Sequence, residues 1–436
     1  VSVNTFKKRN FNIETFKNNL QNIGFHYNPS FVKSLIISLL TKNFIILTGN
    51  SGSGKTKIAQ NLASWLNRTS IGVYSLLAIA LKDEYIKNKY IIDISDKYVD
   101  LINKEGSSQK IISLPKDAII EWFQALKDKT LTIDDDPKNR DKVAENSKYQ
   151  KYIHGYYSNF FDIAKVMYKL SEDNENCEQT QIVKQYCLLP VGAGWTDSRP
   201  ILGFYNSLQN IYQTTPALEL ILDAAANPDL PFFLILDEMN LSHVERYFSD
   251  FLSAMESGEE IPLHTHDDEV KSPGGKSVPK RIAMPQNLFV IGTVNVDETT
   301  YMFSPKVLDR ANVIEFRVTE DDIENYFSKR NTETMQIQPA DPGTAEAFLS
   351  LSKRARGLKL PELPEAAEID KLESALQDVF QILQKRGFEF AYRSASEIIR
   401  FASVSYELAE TGADGKKIFD IIEVIDTQIL QKLLPK

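Results

Sequence analysis

The sequence predicts an α/β protein with a parallel central sheet, an inserted mainly helical subdomain and a C-terminal helical lid. A short apolar run, Phe44–Thr48, leads through a glycine-rich loop into a helical pattern at Lys57–Leu66. Three further short apolar runs follow, at Tyr186–Val191, Phe232–Leu236 and Leu288–Thr293. A proline-rich break at Pro339–Pro364 then precedes three helical patterns. Short apolar strands that alternate with helices are typical of parallel sheets buried on both faces.

The patterns divide the chain into four segments. Residues 1–72 contain two N-terminal helices, Ile13–Leu20 and Pro29–Leu40, and the first strand with its loop. Residues 73–185 are less regular and predict the inserted subdomain. Residues 186–330 return to the α/β pattern and include an exposed hairpin between Ile261–Leu263 and Arg281–Met284. Residues 331–436 form a linker and the helical lid, whose predicted helices are Glu365–Lys385, Ala395–Ala409 and Gly415–Leu434.

Length and composition favour a soluble cytoplasmic protein. The chain has 436 residues, 42% hydrophobic and 25% charged, which is enough for two or three domains with sizeable cores. Its net charge of −9 argues against a basic nucleic-acid coat, although one basic surface can still bind DNA. The two cysteines, Cys177 and Cys187, cannot form a disulfide framework. Because no apolar run approaches the roughly 20 residues that span a bilayer, we expect no membrane partner.

The strongest local signal is a phosphate-binding loop between the first strand and the following helix. Its pattern is G-x-x-x-x-G-K-[ST], and its residues are Gly49, Asn50, Ser51, Gly52, Ser53, Gly54, Lys55 and Thr56. The glycines let main-chain N–H groups approach phosphates, and the helix N-terminus favours an anion. We expect Lys55 to reach the β- and γ-phosphates of ATP or GTP and Thr56 to ligate Mg²⁺. The alternative is a chance glycine turn.

The strand Phe232–Leu236 ends in two acids, Asp237 and Glu238, as a Walker B element does. We expect Asp237 to hold Mg²⁺ through its water shell. Glu238 is the candidate general base that polarises the attacking water. The alternative for an acidic pair at this position is a helix cap.

Two further residues are candidates for contact with the γ-phosphate. Asn295 ends the strand pattern that begins at Leu288, where its amide can orient the lytic water in the role called sensor 1. Arg310 precedes the predicted strand Val313–Phe316, where it can reach the nucleotide of a neighbouring subunit as an arginine finger. Arginine suits this contact because its guanidinium binds phosphate with two parallel hydrogen bonds. The alternative is a surface ion pair with Asp309.

Together these motifs resemble the AAA+ domain of McrB-type restriction NTPases. The stretches that carry the resemblance are the phosphate loop, LILDEMN at Leu234–Asn240, HVERYFSDFLSAMES at His243–Ser257, GTVN at Gly292–Asn295, KVLDRANVIEF at Lys306–Phe316 and PVGAGWTDSRP at Pro190–Pro200. The likeness covers about Phe44–Ser70 and Tyr186–Phe316, and more loosely Phe390–Phe401. In AAA+ proteins a lid arginine can contact the γ-phosphate as sensor 2. Arg393 is the candidate here, with a structural salt bridge as the alternative.

The resemblance implies a ring, typically a hexamer, that hydrolyses GTP or ATP with Mg²⁺. It also implies a separate McrC-like nuclease subunit as partner and translocation along DNA before cleavage. One departure leaves the choice between ATP and GTP open. The McrB signature continues after the sensor asparagine as Thr-Ala-Asp-Arg-Ser, whereas Asn295 is followed by Val296–Thr300, and no Asn-Lys-x-Asp guanine motif is present.

Two segments outside the motifs contain candidate contact residues. In this branch of the family an extra hairpin faces the ring centre, and Trp195–Tyr212 fits that place, with Trp195, Arg199, Phe204 and Tyr205 as candidates and a core role as the alternative. The insertion contains Trp122, Phe123 and the basic and aromatic run Lys148–Tyr157. Such residues can bind nucleic acid by phosphate contact and base stacking, or form the core of a small domain.

Three functions remain open from the sequence. The first is the motor subunit of a McrBC-like antiphage restriction complex. The second is a MoxR- or dynein-related AAA+ chaperone that remodels proteins. The third is a nucleotide-gated scaffold that scarcely turns over alone. We predict no nuclease chemistry in this chain, because no constellation of paired acids with a lysine stands out.

Overall fold

The computed structural model describes residues 11–25, 27–67, 80–81, 84–94, 98–104, 112–115, 119, 122–123, 126, 157–173, 184–267, 270–296, 301–328, 337, 339–340, 343–357, 366–411 and 417–435. The chain forms two compact units. The first comprises Val1–Arg68 and Lys184–Lys436, and the second is Thr69–Val183. No helix among the described residues has both the length and the apolar character that crossing a membrane requires.

Two N-terminal helices precede the first strand, as predicted. Helix α1 spans Ile13–Asn22 and helix α2 spans Pro29–Thr41. Asparagine caps both, because the side chains of Asn12 and Asn28 accept hydrogen bonds from main-chain N–H groups of the first turn. Pro29 occupies the first turn of α2, where its missing N–H costs nothing.

A five-stranded parallel sheet forms the centre of the first unit. Its strands are β1 (Phe44–Gly49), β5 (Tyr186–Pro190), β8 (Phe232–Asp237), β13 (Leu288–Asn295) and β14 (Asn312–Glu315). The order across the sheet is β14-β1-β13-β8-β5, and each neighbouring pair is parallel. Every residue of β13 is buried, as expected for a strand covered on both faces. The predicted α/β fold class is therefore confirmed.

Helices and 3₁₀ turns connect these strands. In chain order they are α3 (Lys55–Leu66), α6 (Arg199–Leu202), α7 (Pro216–Ala226), the 3₁₀ turn Met239–Leu241, α8 (Val244–Tyr247), α9 (Ser249–Ser257) and α10 (Pro305–Leu308). Because the strands are parallel, their carboxyl ends meet at one edge of the sheet. The phosphate loop, Asp237 and Asn295 all lie at this edge.

A second, smaller sheet joins two hairpins that lie far apart in sequence. Its strands are β6 (Phe204–Asn206), β7 (Ile211–Gln213), β10 (Val270–Lys271) and β11 (Ser277–Val278), in the order β11-β10-β7-β6. The predicted pairing around the polar stretch is also present. Strand β9 (Ile261–Pro262) pairs antiparallel with β12 (Arg281–Ile282).

The C-terminal part is helical, with one difference from prediction. Its helices are α11 (Glu320–Ser328), α12 (Thr344–Arg356), α13 (Ala366–Gln384), α14 (Tyr392–Glu407) and α15 (Ile421–Gln428), followed by a π-helical turn, Ile429–Leu433. Helix α12 lies inside the proline-rich break that we expected to be a linker. The prolines fall outside α12, and its apolar residues Ala345, Phe348 and Leu349 are buried at helical spacing.

One hydrophobic core joins the N-terminal helices, the sheet and the lid helices. Its buried members include Leu35 of α2, Ile45 of β1, Phe348 of α12, Ile398 of α14 and Val424 of α15. The C-terminal helices therefore pack on the same core as the strands that carry the motifs.

The second unit has its own core, which includes the buried side chains of Leu101, Trp122, Phe123 and Ile163. Its described elements are α4 (Glu84–Lys89), β2 (Tyr90–Ile94), β3 (Tyr98–Asn103), β4 (Ile112–Pro115) and α5 (Tyr157–Asp173). The three strands form an antiparallel sheet in the order β2-β3-β4. The insertion predicted as mainly helical thus also contains a sheet.

Candidate functional site

The phosphate loop connects β1 to α3 and depends on glycine at its first position. Gly49 has φ +151°, and a Cβ atom there would lie 2.4 Å from the main-chain oxygen of Phe316. Gly52 and Gly54 also have positive φ, +73° and +102°. Gly54 precedes α3 and supplies no side-chain cap, so the first N–H groups of the helix face the loop. Only glycine allows the strand to turn this closely past Phe316.

The Lys55 side chain points back into the phosphate loop. Its side chain donates hydrogen bonds from Nζ to the main-chain oxygens of Gly49 and Asn50, at 2.9 and 2.6 Å, and to Ser53 Oγ at 3.2 Å. The residue is only 4% exposed. The ammonium group is therefore held at the centre of the loop, among acceptors that a phosphate can replace.

Asp237 links the loop to two other elements of the sheet edge. Its Oδ1 accepts hydrogen bonds from Thr56 Oγ1 and Thr293 Oγ1, both at 2.6 Å. The contact between Thr56 and Asp237 brings together the two residues predicted to hold Mg²⁺. A hydroxyl and a carboxylate are the hard oxygen groups that Mg²⁺ prefers, and they would hold the cation directly or through its water shell. These residues fit the metal that the motifs imply.

Glu238 has a backbone conformation that is uncommon for its type. Its φ and ψ are 53° and 49°, in the left-handed region. Its main-chain N–H donates to Thr293 Oγ1 at 3.0 Å, and its Oε1 accepts from Asn295 Nδ2 at 3.1 Å. Two side chains of β13 thus fix both the main chain and the carboxylate. Strained conformations held this way are concentrated at functional sites.

Thr293 is a site residue that we did not predict as one. The sheet register pairs Gly292 with Leu236, so Thr293 comes next to Asp237 at the end of β8. Its hydroxyl donates to Asp237 and accepts from the N–H of Glu238. The available signal was its place two residues before Asn295 in a fully buried strand, where a polar side chain needs a partner.

Asn295 lies beside the phosphate loop. The register of β1 and β13 pairs it with Gly49, and the N–H of Val296 donates to the Gly49 oxygen at 3.3 Å. Because its amide also reaches Glu238, Asn295 lies between the loop and the candidate base. Its role in orienting a water near the γ-phosphate stays a prediction.

The Arg310 side chain packs against other residues of its own chain, and the residue is 7% exposed. Its Nε donates to the main-chain oxygen of Leu252 at 2.9 Å, and Nη1 donates to that of Lys306 at 2.6 Å. The guanidinium also forms an ion pair with Glu256 of α9, rather than the expected alternative pair with Asp309. Burial, and secondly the charge of Arg393, lower the pKa of Arg310.

Arg393 lies near the same carboxylate. Its Nη2 is 3.7 Å from Glu256 Oε1, and its side chain is 45% exposed. The structure therefore brings Arg310 and Arg393 together around Glu256. In the part of the chain that is described, neither guanidinium contacts the phosphate loop. Their proposed roles at a γ-phosphate remain predictions.

The hairpin candidates divide into packed and exposed residues. Trp195 packs edge-on against Tyr247, with ring centroids 5.3 Å apart, which supports the core alternative. Arg199 forms an ion pair with Asp197. Phe204 is 50% exposed, and the Tyr205 hydroxyl and Asn210 Oδ1 lie 2.6 Å apart.

The candidates in the insertion are only partly described. Trp122 and Phe123 are buried in the core of the second unit, as their alternative interpretation predicted. Residues 148–156 of the basic and aromatic run lie outside the described residues, and so does Cys177. Cys187 is buried in the sheet, where burial raises the pKa of its thiol.

Comparisons with known proteins give a family match and matches among solved structures. A family described as a domain of unknown function (DUF8727) matches residues 339–436. Among solved structures, the chain is similar to a crystal structure described as a “putative ATPase” from Cytophaga hutchinsonii, with 12% identity and a TM-score of 0.45. That match covers 97% of this chain and 88% of the other. No curated protein matches the chain.

The close approach at Gly49 gives a stability prediction. We expect Gly49→Ala to lower the free energy of unfolding by about 2 kcal/mol or more beyond the cost at Gly258, because its Cβ would overlap the Phe316 oxygen. Gly258→Ala is the control, since Gly258 also has positive φ, +71°, but its Cβ would meet no atom within 4 Å. It should cost about 1–2 kcal/mol. Urea unfolding of both variants tests this, and equal losses would contradict it.

Proposed function

We propose that this chain is an AAA+ nucleoside triphosphatase that binds ATP or GTP with Mg²⁺. One observation supports this above the others. The Asp237 carboxylate contacts Thr56 directly after the phosphate loop, while its neighbour Glu238 is held by Thr293 and Asn295. Cation ligands, candidate base and polar sensor are thus linked by a chain of hydrogen bonds through Thr293, beside a lysine-containing loop.

Phosphate binding uses the loop and Lys55. The triphosphate lies against the main-chain N–H groups at the start of α3, where the helix dipole favours negative charge. Lys55 then exchanges the oxygens of Gly49 and Asn50 for β- and γ-phosphate oxygens. The exchange conserves its hydrogen bonds and pairs its charge with an anion.

Thr56 and Asp237 are the residues that would hold Mg²⁺. When bound, the cation neutralises charge on the β- and γ-phosphate oxygens. The hydrogen bond from Thr293 fixes the orientation of the Asp237 carboxylate. Loss of a residue that orients a metal ligand in this way typically costs about 10- to 100-fold in metal affinity or activity.

Hydrolysis follows from the position of Glu238. A water held by Glu238 and Asn295 attacks the γ-phosphorus, and Glu238 accepts a proton from it. The new bond joins the water oxygen to phosphorus, and the bond to the β–γ bridging oxygen breaks. The products are the nucleoside diphosphate and inorganic phosphate.

We further propose that the chain is the motor subunit of a McrBC-like restriction complex. It forms a hexameric ring, as is typical of AAA+ proteins, in which Arg310 contacts the γ-phosphate of the adjacent subunit and Arg393 contacts a γ-phosphate as sensor 2. The support is the resemblance of the motifs at Leu234–Asn240 and Lys306–Phe316, together with the convergence of both arginines on Glu256. DNA and a McrC-like nuclease are the proposed partners.

The role of Glu238 predicts a specific loss of turnover. We expect Glu238→Gln to lower kcat about 10²- to 10⁴-fold, because the amide cannot accept the proton from water. Nucleotide affinity should persist, since Lys55 and the loop are intact. Steady-state phosphate release and equilibrium binding of a fluorescent nucleotide measure the two quantities. An unchanged kcat would exclude Glu238 as the base.

Thr293→Val tests the newly identified residue. Valine keeps the shape but removes the hydroxyl that orients Asp237 and Glu238, so kcat should fall about 10- to 100-fold. Thr41→Val is the matched control, because within the described residues the buried Thr41 hydroxyl bonds to main-chain oxygens of α2 alone. If both variants lose stability but neither loses kcat, Thr293 has no part in catalysis.

The role of Arg310 predicts complementation between subunits. Arg310→Ala should bind nucleotide but lose about 10³-fold or more in kcat. Arg310→Lys, which keeps the charge without the planar guanidinium, should also be slow. Mixing Arg310→Ala with Glu238→Gln should restore turnover, because the second subunit supplies an intact arginine to the first. No recovery at any mixing ratio would contradict action across an interface.

Rates of nucleotide hydrolysis test the proposed partners. We expect a McrC-like nuclease encoded beside this chain to stimulate hydrolysis of one nucleotide, ATP or GTP, and DNA to increase the effect. Rates with each nucleotide, with and without nuclease and DNA, make the comparison. If the hydrolysis rate is the same with and without the nuclease and DNA, the restriction role is excluded and the triphosphatase assignment stands.

A further inference from the structure

A buried charge triad lies behind Arg310 and has no part in the proposed chemistry. Its members are Lys42, which follows α2, Glu397 of α14 and Lys432 of the π-helical turn. Lys42 Nζ lies 2.8 Å from Glu397 Oε1, and Lys432 Nζ lies 2.6 Å from Glu397 Oε2. One carboxylate thus joins three elements that are remote in sequence.

Both ammonium groups also bind the main chain beside Arg310. Lys42 Nζ donates to the Asp309 oxygen at 2.9 Å. Lys432 Nζ donates to the same oxygen at 3.0 Å and to the Ala311 oxygen at 3.1 Å. The Asp309 oxygen therefore accepts two charged hydrogen bonds, one for each lone pair. The residues immediately before and after Arg310 are fixed.

Every N–H donor of the two lysines forms a hydrogen bond. Each lysine has three N–H donors, and each donor has an acceptor: two carboxylate contacts and one carbonyl for Lys42, one carboxylate and two carbonyls for Lys432. The Lys432 side chain is fully buried. Burial opposes ionisation of Glu397, but the charges of Lys42 and Lys432 outweigh it and hold the pKa of Glu397 below its usual value. Burial, and secondly the charge of Lys432, lower the pKa of Lys42, which the Glu397 carboxylate opposes. Displacement of the Asp309 main chain would break charged hydrogen bonds away from competing water.

Helix α14 holds the arginine segment at two points. Glu397 and Arg393 are four residues apart in α14, so they lie on the same face one turn apart. Glu397 binds the lysines that hold Asp309, and Arg393 approaches the Glu256 carboxylate that pairs with Arg310. One helix face therefore contacts both the main chain and the side-chain environment of Arg310.

We propose that Lys42, Glu397 and Lys432 are positioning residues that couple the lid to Arg310, so that α14 and the Asp309–Ala311 segment move as one body. This inference rests on the proposed function, in which Arg310 serves the nucleotide of an adjacent subunit. A shift of the lid that accompanies nucleotide binding in one subunit then displaces its arginine from, or toward, the site of its neighbour. The coupling runs through defined contacts between two specified elements.

The test compares two neighbouring residues of the π-helical turn. Lys432→Met removes the bonds to Glu397, Asp309 and Ala311. Gln431→Met is the matched control, because the buried Gln431 oxygen accepts from Ser38 and Gln428 and not from the arginine segment. Lys42→Met, at a less buried site, is the second variant should Lys432→Met fail to fold. Melting temperature, nucleotide affinity and kcat are measured for each assembled variant.

We expect both substitutions in the turn to lower the melting temperature, but only Lys432→Met to lower kcat, by about 10- to 100-fold, the cost of displacing a catalytic group by about 1 Å. Nucleotide affinity should be unchanged. Mixing Lys432→Met with Glu238→Gln should restore turnover, because Glu238→Gln subunits bind nucleotide without hydrolysing it and supply a correctly placed Arg310. A defect confined to the Lys432→Met subunit's own site would not be rescued.

Three results overturn the inference. If Lys432→Met turns over like Gln431→Met while Arg310→Ala is inactive, the triad does not position the arginine and the proposed function stands. If Lys432→Met is slow but mixing gives no rescue, the triad acts within its own subunit. If Arg310→Ala turns over normally, the arginine-finger assignment fails and the inference fails with it.

Discussion

The site depends on one carboxylate oxygen that accepts hydrogen bonds from two hydroxyl groups. Asp237 Oδ1 binds Thr56 at the start of α3 and Thr293 of β13, while Asp237 itself ends β8. Three elements are thereby held in one arrangement at the edge of the sheet. Because the Thr293 hydroxyl also accepts the N–H of Glu238, the same contact fixes the uncommon backbone of the candidate base. The hydrogen bonds of Asp237 and Thr293 therefore fix the loop, the cation ligands and the candidate base relative to one another.

Much of this edge was predictable because its determinants are local. The glycines and Lys55 are contiguous, and the loop must follow a buried strand and begin a helix. The acids at Asp237 and Glu238 and the amide at Asn295 end apolar runs, and the ends of parallel strands meet. The sequence therefore predicted the strands, the α/β fold class and the proximity of Thr56 to Asp237. Periodicity also predicted α1, α2 and the lid helices to within a few residues at most ends.

The remaining features depend on register and tertiary packing. The role of Thr293 follows from the pairing of β13 with β8, which the sequence of either strand alone does not specify. We did not predict helix α12, because its flanking prolines suggested a linker. Burial of Phe348 in the hydrophobic core stabilises the helix. Lys42 and Lys432 are separated by most of the chain, and each resembles an ordinary surface lysine until both meet Glu397.

The pairing of Arg310 with Glu256 is compatible with a role at a neighbour's phosphate. A guanidinium removed from water needs an anionic partner, and a carboxylate offers the same two-oxygen geometry as a phosphate edge. Exchange of Glu256 for a γ-phosphate keeps the guanidinium paired, so the displacement carries no cost of an isolated buried charge. Arg393 is half exposed and approaches the other oxygen of the Glu256 carboxylate. Under the proposed function, Glu256 is the resting partner of Arg310, and Arg393 lies beside the same carboxylate.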